Sequence, residues 1–374
     1  MKLSVKKNYF SKNKTENICI ILYLFSFTLR FYTNMNTTIT AILWSLVGVL
    51  IFIYCYQSMP NYRRQIFILI LITFLSLISG LMNKNRGFFY SLYVLSAQSF
   101  GLLIYKKRTD LSKIRNYMMV LFWYLTFAVV LFYATGGQGD IYLSKLIVKN
   151  TINIMMIFSC CIDLIYRLYS HLPIKYSYAV IGIITSLLCD SSGGILSFSI
   201  LLVGEFICRK RQNALSIYKI LLIIFLGVVV LFFMGYITHL EAFLGDDNSR
   251  FSIWTMYYDI VKQSNKNLWF GGPLDNNAIL YKIHNIHSNF LNWHCFYGLI
   301  PFVFYTFLLI YECMKCIYQR NWYILVICVV LIVRSITDST DFCFMSIWIF
   351  IYLLTSNKVN ITSRLSECVY EKKC

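Results

Sequence analysis

The residues best suited to chemistry lie in one polar interval late in the chain, between Tyr236 and His294. The interval contains four of the five histidines and an isolated Arg250 that follows two aspartates. An arginine side chain can bind phosphate oxygens through two parallel hydrogen bonds, and a neutral imidazole can accept a proton near pH 7. The interval therefore combines an anion-binding group with groups that could assist a proton transfer.

Arg250 allows two interpretations. Its fork of N–H donors could bind the phosphate oxygens of a lipid diphosphate at the outer leaflet of a membrane. It could also be a surface arginine that pairs with Asp246 or Asp247, which precede it closely in the chain. The residues alone leave both interpretations open.

The histidines of the interval raise the question of a metal site. His284, His287 and His294 would share about one face of a helix, and three histidines on one face can bind a metal. However, the nearest carboxylate, Asp275, lies across a turn, and no His-Glu motif is present. A general base, or a hydrogen bond to a sugar hydroxyl, is the favoured role for a histidine here. His294 begins an apolar run and is interpreted as a packed histidine, and no metal site is predicted.

Charged residues also occur within or beside the apolar runs. Arg30 and Arg334 fall near the outer ends of predicted spans, where charge is expensive and is often functional. Each arginine could line a cavity, or its long side chain could reach the membrane interface. Asp163, Glu205 and Glu312 fall near the cytoplasmic ends of spans and are expected to be solvated.

The composition places these groups in a membrane protein. Of the 374 residues, 58% are hydrophobic and 13% are charged, whereas soluble domains have about 25% charged residues. Apolar runs near the roughly 20 residues needed to cross a bilayer recur along the whole chain. A soluble enzyme is therefore excluded, and the predicted fold class is an all-α polytopic membrane protein with one large extracytoplasmic loop late in the chain.

About twelve transmembrane helices are predicted, at residues 18–32, 39–56, 66–82, 88–105, 117–134, 146–168, 176–189, 195–208, 218–236, 295–311, 322–336 and 342–354. The seventh and eighth segments are short for full crossings and meet at the turn signal of residues 190–194. Two arrangements stay open for this pair. They could be half-spans at an outer cavity, or two short helices joined by a tight outside turn.

The distribution of Lys and Arg predicts the orientation. With alternate connections assigned to the cytoplasm, 24 of the 34 basic residues lie inside and 8 outside, as the positive-inside rule describes. Both termini are therefore predicted to be cytoplasmic. The predicted organisation is a basic tail (1–17), a bundle of about nine spans (18–236), an extracytoplasmic catalytic loop (237–294), three last spans (295–355) and a second tail (356–374).

Two other kinds of site are disfavoured. The net charge of +18 is spread between the spans, and no basic face with interleaved aromatic residues indicates nucleic-acid binding. Nearly all of the thirteen cysteines lie in or beside apolar runs. The pair Cys313 and Cys316 lacks a second ligand pair and is interpreted as two small apolar residues rather than a zinc site.

Several short motifs follow one another in the late interval, in a fixed order. Arg250 is followed by Trp254 four residues later, and the series ends at Gly298, seven residues after Leu291, where the next span opens. Between them come Asn267-Leu268-Trp269-Phe270-Gly271-Gly272-Pro273 and His287-Ser288-Asn289-Phe290-Leu291. In order, spacing and topology this series resembles the O-antigen polymerase and ligase superfamily, and it looks most like the polymerases (Wzy type).

The resemblance implies a glycosyltransferase in a bacterial cytoplasmic membrane. Such an enzyme joins undecaprenyl-diphosphate-linked oligosaccharide repeat units into capsular or O-antigen polysaccharide at the outer face. By motif, Arg250 would contact the donor diphosphate and His287 would assist the acceptor hydroxyl. The substrate-binding residues would be His284, Asn289, Trp254, Arg334 and Arg30. No cofactor is implied, and the expected partners are the lipid bilayer and flippase and chain-length regulator proteins.

The chain departs from the family pattern at two places. Many members have an arginine in the turn between the two short middle helices, where this chain has Ser191-Ser192-Gly193. Arg334 or Arg30 could substitute for it. The turn at residues 271–273 reads Gly-Gly-Pro rather than Gly-x-Gly.

Three alternative functions stay open. The ligase-type transferases share the same motifs and differ in the acceptor. A lipid-linked oligosaccharide flippase or another transporter would also have about twelve spans, but neither an internal repeat nor a central cluster of ionisable residues is evident. A membrane O-acyltransferase would require a histidine buried early in the chain, and the first histidine is His171.

Overall fold

The chain forms a helical bundle, which a computed structural model describes over most of its length. The described residues are 17–18, 20–25, 37–83, 87–108, 110–137, 142–143, 147–170, 172–173, 175–210, 248–277, 280, 286, 288–319, 321–337 and 341–356. In these ranges the regular structure is helical, apart from one antiparallel pair of two-residue strands, Tyr142–Leu143 (β1) and Ile147–Val148 (β2). The predicted all-α class is confirmed.

The first seven labelled helices precede the polar interval. They are Thr37–Ser58 (α1), Arg63–Asn83 (α2), Gly87–Lys106 (α3), Ser112–Ala134 (α4), Lys149–Tyr169 (α5), Ser177–Leu188 (α6) and Ser192–Lys210 (α7). The remaining helices are Asn248–Lys262 (α8), Asn265–Phe270 (α9), Asn289–Tyr297 (α10), Leu299–Tyr318 (α11), Trp322–Thr337 (α12) and Asp341–Ser356 (α13). Short 3₁₀ turns occur at Pro60–Tyr62 and Leu274–Asn276.

Four helices in the described part of the chain are long and apolar enough to cross a membrane: Pro60–Met82, Ser112–Ala134, Asn150–Tyr169 and Leu299–Tyr318. Shorter apolar helices cover 42–58, 177–188, 192–206, 322–336 and 345–355. A helix satisfies its own backbone groups, which is why long apolar runs adopt it in lipid. Helices occupy ten of the twelve predicted segments. Residues 20–25 of the first segment are helical, and 218–236 lie outside the described residues.

Helix α3 lies at the centre of one half of the bundle, where it packs against α1, α2 and α13. Small residues allow these close approaches. A Cβ added to Gly48 would lie 2.5 Å from Ser96 Oγ, and one added to Gly101 would lie 2.5 Å from the Ser346 carbonyl oxygen. Ser96 also donates to the Trp44 carbonyl at 2.9 Å, which joins α1 to α3.

The seventh and eighth predicted spans are two helices joined by a tight turn. Helix α6 has 12 residues and is about 18 Å long at 1.5 Å per residue, which is short for a bilayer core of about 30 Å. Helix α7 begins at Ser192 rather than at residue 195, and it has 19 residues. Asp190 adopts a positive φ of 49° in the turn between them.

Two predicted boundaries were wrong. The segment predicted from residue 146 includes the strand Ile147–Val148, and its helix starts at Lys149. The span predicted to start at Cys295 is two helices, because the chain breaks at Gly298, where φ is +79°. The predicted end of the loop at residue 294 therefore lies inside α10, and the long helix α11 begins at Leu299.

The acidic residues near the span ends are buried, which corrects the expectation that they are solvated. Asp163, Glu205 and Glu312 are all largely inaccessible. Asp163 accepts from Arg115 Nε at 2.7 Å and from Arg167 Nε at 2.5 Å, so its two oxygens are shared between two cations. Position along a span did not predict this, since it gives the depth of a residue and not its neighbours.

Candidate functional site

The polar interval is attached to the bundle through α10. Trp254 on α8 donates its indole N–H to the Ile286 carbonyl at 2.9 Å, and the Ile286 N–H donates to Asn292 Oδ1 at 3.3 Å. Asn292 lies on α10, which packs against α2, α3, α11 and α12. These bonds connect α8 to the bundle through the segment that precedes α10.

A second connection joins the two helices through His294. Its Nε2 lies 2.8 Å from the Leu268 carbonyl, which can only accept, so Nε2 carries a proton. In the neutral imidazole, Nδ1 then accepts from the Tyr257 hydroxyl at 2.6 Å. Tyr257 in turn accepts from the Gly272 N–H at 3.3 Å. The result is a continuous hydrogen-bond chain from the glycine turn to α10.

The environment keeps this chain of hydrogen bonds uncharged. Burial lowers the pKa of His294 below its ordinary value, and the hydrogen bond to Leu268 opposes that shift. Burial also raises the pKa of Tyr257 well above its ordinary value. Both groups are therefore neutral near pH 7. His294 is a packed histidine, as its position at the start of an apolar run predicted.

Two glycines allow the backbone to follow this path. Gly271 has a φ of +87°, and a Cβ there would lie 2.3 Å from the Cys295 carbonyl oxygen. Gly298 has a φ of +79°, and a Cβ there would lie 2.2 Å from Ser79 Oγ and 2.7 Å from the Trp269 carbonyl oxygen. A side chain would be strained and would clash at either position, so both turns require glycine.

A buried polar group lies on the other side of α10. Asn289 is fully buried and donates to Ser335 Oγ at 3.2 Å. Arg334, which immediately precedes Ser335 in the chain, is also buried, and its Nη2 donates to the Asn150 carbonyl oxygen at 3.4 Å. The motif residue Asn289 therefore contacts the residue that follows the predicted substrate-binding Arg334 on α12.

The beginning of α7 lies against the part of α5 that follows Asn150. Asn153 lies one helical turn after Asn150 on α5, and its Oδ1 accepts from Ser186 Oγ at 2.6 Å. A Cβ on Gly194 would lie 2.9 Å from Asn153 Cγ, which places the first turn of α7 against the second turn of α5. We define the Arg334 cluster as Asn150, Asn153, Ser186, Asn289, Arg334 and Ser335.

The other predicted site residues have the following positions. Arg250 lies in the first turn of α8, four residues before Trp254. Trp254 is half-buried, and its indole N–H already bonds the Ile286 carbonyl. The predicted residues His284, His287 and Arg30 lie outside the described residues. The expectation that three histidines share one helical face was wrong for His294, because α10 begins only at Asn289 and Ser288 is not helical.

Metal ligands do not converge within the described part of the chain. No group of three or more His, Cys, Asp or Glu residues there is arranged to hold a metal ion. The donors of the Arg334 cluster are an arginine, amides and hydroxyls. This set can donate hydrogen bonds to an oxyanion or to sugar hydroxyls.

Sequence reasoning missed three residues that contact the predicted elements: Tyr257, Asn153 and Ser186. Tyr257 is separated from His294 by 37 residues, and no local spacing connects them. Asn153 and Ser186 were read only as parts of apolar spans. A polar side chain inside such a span was the available signal, since an amide in lipid requires a partner.

In comparisons with known proteins, no family model, curated protein or solved structure matches the chain.

Proposed function

We propose that the protein is a membrane glycosyltransferase that polymerises undecaprenyl-diphosphate-linked oligosaccharide repeat units into surface polysaccharide, capsular or O-antigen. The observation that carries this proposal is the contact between α10 and α12 at Ser335, the residue after Arg334. The motif segment of residues 287–291 leads into a buried helix, and its Asn289 bonds Ser335 beside a buried arginine. A cation at this depth suits the diphosphate of a lipid carrier.

The proposal includes a topology. It assigns about twelve crossings, cytoplasmic termini, a bacterial cytoplasmic membrane, and an extracytoplasmic position for residues 237–294. Contacts between helix ends support the part of this assignment that places several connections on one side of the bundle. Gly298 meets the end of α2, Arg334 meets the start of α5, and Gly194 meets Asn153. These ends belong to connections that the charge distribution assigns to the same side, and Arg115, Asp163 and Arg167 meet at the other end.

The reaction is a displacement at the anomeric carbon of the donor sugar. The acceptor hydroxyl oxygen forms the new glycosidic bond, and its proton passes to a base, a role given to His287. The bond between the anomeric carbon and the diphosphate oxygen breaks, and its electron pair leaves with the carrier. Cationic donors stabilise the charge that develops on the diphosphate. Arg250 and Arg334 are the arginines assigned to it, with Arg30 as a further candidate.

The other residues position these groups. Trp254 connects α8, which carries Arg250, to the segment before α10. Asn289 holds α10 against α12 through Ser335. His284 is assigned to the sugar hydroxyls. The bilayer holds both lipid-linked substrates, and flippase and chain-length regulator proteins are the expected partners.

The test is the electrophoretic profile of surface polysaccharide from cells that lack the gene and are complemented with variants. Arg334→Ala is expected to reduce the polymer ladder to single repeat units. Arg334→Lys keeps the charge but loses the fork, so it is expected to shorten the ladder without abolishing it. Arg63→Ala is the matched control, because Arg63 is exposed at the start of α2, whereas the end of α2 meets Gly298. An immunoblot of the membrane fraction separates loss of activity from loss of protein.

The outcomes distinguish the alternatives. A full ladder from both Arg334→Ala and Arg250→Ala would overturn the assignment of the site. Normal polymer that is not attached to its final anchor would indicate a ligase-type transferase. Repeat units held at the cytoplasmic face would indicate a flippase.

A further inference from the structure

Helix α9 exposes large apolar side chains. Leu268 is 41% exposed and Trp269 is 50% exposed, whereas Asn267 beside them is buried. The helix is fixed at both ends. Ser264 caps its start by accepting from the Asn267 N–H at 3.1 Å, and the Leu268 carbonyl accepts from His294. These exposed side chains therefore have a defined position on the molecule.

That position is at the depth of the apolar helices. The Trp269 carbonyl oxygen and Ser79 Oγ both border Gly298, because a Cβ there would lie 2.7 Å and 2.2 Å from them. Ser79 precedes the end of the Pro60–Met82 span by three residues, or about 5 Å at 1.5 Å per residue. Gly298 immediately precedes the Leu299–Tyr318 span. The backbone at Trp269 therefore lies where two candidate spans end.

Helix α9 adjoins span ends that also expose apolar side chains. Helix α9 packs against both α2 and α11. The neighbouring helix ends expose further apolar residues: Leu81 and Met82 on α2, and Ile300 and Val303 on α11. Lipid is the solvent of such a surface along a span. The same solvent therefore extends to Leu268 and Trp269.

A polar and aromatic rim borders this surface. Lys262 Nζ lies 4.0 Å from the centre of the exposed Tyr258 ring, and Lys266 is exposed on α9. Asp259 is also exposed on α8. Aromatic residues and lysines concentrate where a membrane meets water, because each has an apolar part and a polar end.

We propose that α9 is an interfacial anchor. Leu268 and Trp269 insert into the boundary between phospholipid headgroups and acyl chains, at the membrane face where α2 ends and α11 begins. Lys262 and Lys266 lie at the level of the lipid phosphates. The anchor holds the turn at Gly271 and the helix α8 against the membrane surface, and it does not depend on the proposed reaction.

Quenching of tryptophan fluorescence by brominated lipid tests the anchor. The full chain is reconstituted in phosphatidylcholine bilayers that carry bromine either near the headgroup or deep in the acyl chains. Subtracting the spectrum of Trp269→Phe from that of the wild type isolates Trp269 among the seven tryptophans. Trp293→Phe is the control, because Trp293 is buried against Tyr305 with ring centres 5.5 Å apart.

The expected result is shallow quenching. An interfacial tryptophan contacts lipid directly, so the Trp269 difference signal should be quenched at least about twofold more than the Trp293 signal by shallow bromine. Adding Leu268→Trp to the Trp269→Phe variant should restore that quenching. A Trp269 signal that resists both lipids and is quenched by aqueous iodide would overturn the proposal, since α9 would then lie in water.

Discussion

Helices α4 and α5 are neighbours in the chain and in space, and both are long enough to cross a membrane, yet they occupy opposite environments. Only 28% of the apolar window of α4 is buried, against 89% for α5. The more apolar helix is the exposed one. The buried helix carries Asn153, Ser159, Asp163 and Arg167 among its inward-facing residues.

The difference shows what determines position within a membrane bundle. Lipid is as apolar as a leucine side chain, so apolar residues gain little by moving from lipid to the interior. Polar and charged groups gain partners there, and their exposure to lipid is expensive. Helix α5 is central because its polar groups require neighbours. Helix α4 can face lipid on one side, because its exposed residues there are apolar.

Among the variants that test this contrast, Asp163→Asn is expected to have the largest effect on stability. The substitution keeps the size of the side chain but leaves the charges of Arg115 and Arg167 without their shared carboxylate. Removing one partner of a buried ion pair costs about 3–5 kcal/mol. We expect a large fall in the thermal unfolding temperature in detergent, with Asp259→Asn on the exposed face of α8 as an unaffected control. Equal unfolding temperatures for Asp163→Asn and the wild type would contradict the explanation for the position of α5.

A pair of phenylalanines tests the apolar side of the contrast. Phe158 on α5 is fully buried, and Phe127 on α4 is exposed. Phe158→Ala leaves a cavity and should reduce stability by about 3 kcal/mol. Phe127→Ala removes a lipid-facing side chain and should change stability by less than about 0.5 kcal/mol. Thermal unfolding of both variants compares them directly. A similar loss of stability for both would mean that the Phe127 face of α4 is packed against protein rather than exposed to lipid.

The same contrast occurs between adjacent tyrosines on α8. Tyr257 is 2% exposed and bonds His294, whereas Tyr258 is 57% exposed. Tyr257→Phe leaves a buried imidazole nitrogen without its donor, which costs about 1–3 kcal/mol. Tyr258→Phe should leave stability nearly unchanged. Unfolding temperatures that rank in the reverse order would contradict the hydrogen-bond chain.

The smallest expected effect is on the pH dependence of stability. Burial lowers the pKa of His294 below its ordinary 6.5, so the unfolded chain binds a proton at a higher pH than the folded one. The stability that the neutral imidazole contributes is fully present above pH 6.5 and is lost as the pH falls through the lower folded value. His294→Gln should weaken this acid sensitivity, measured as the change in unfolding temperature on acidification. An identical pH profile for the variant would exclude the contribution of His294.

Much of the fold could be predicted, because a long apolar run in lipid has few alternatives to a helix. The motif series placed Gly298 at the opening of a span, and α11 begins directly after it. The separate helix α10 was missed, because apolar residues continue on both sides of Gly298 and the span was predicted to start at Cys295. The burial of Asp163 was missed for a different reason. Position along a span gives the depth of a residue in the membrane, but the ion pairs of Asp163 depend on which faces of α4 and α5 meet.

The candidate site was predictable only as a set of residues. The motif order indicated Trp254 and Asn289, and the cost of charge in lipid indicated Arg334. Their contacts were not predictable, because Asn289 and Ser335 are 46 residues apart and Arg334 and Asn150 are 184 apart. The role of Trp254 in holding the segment before α10 was hidden for the same reason.

The most direct test of the proposed activity uses the purified protein in lipid nanodiscs. Lipid-linked repeat units extracted from cells that lack the gene serve as both donor and acceptor. The wild type should convert them into a ladder of longer lipid-linked chains and release one undecaprenyl diphosphate for each bond formed, and Arg334→Ala should do neither. Unchanged repeat units after incubation with folded wild-type protein would contradict the proposed polymerisation.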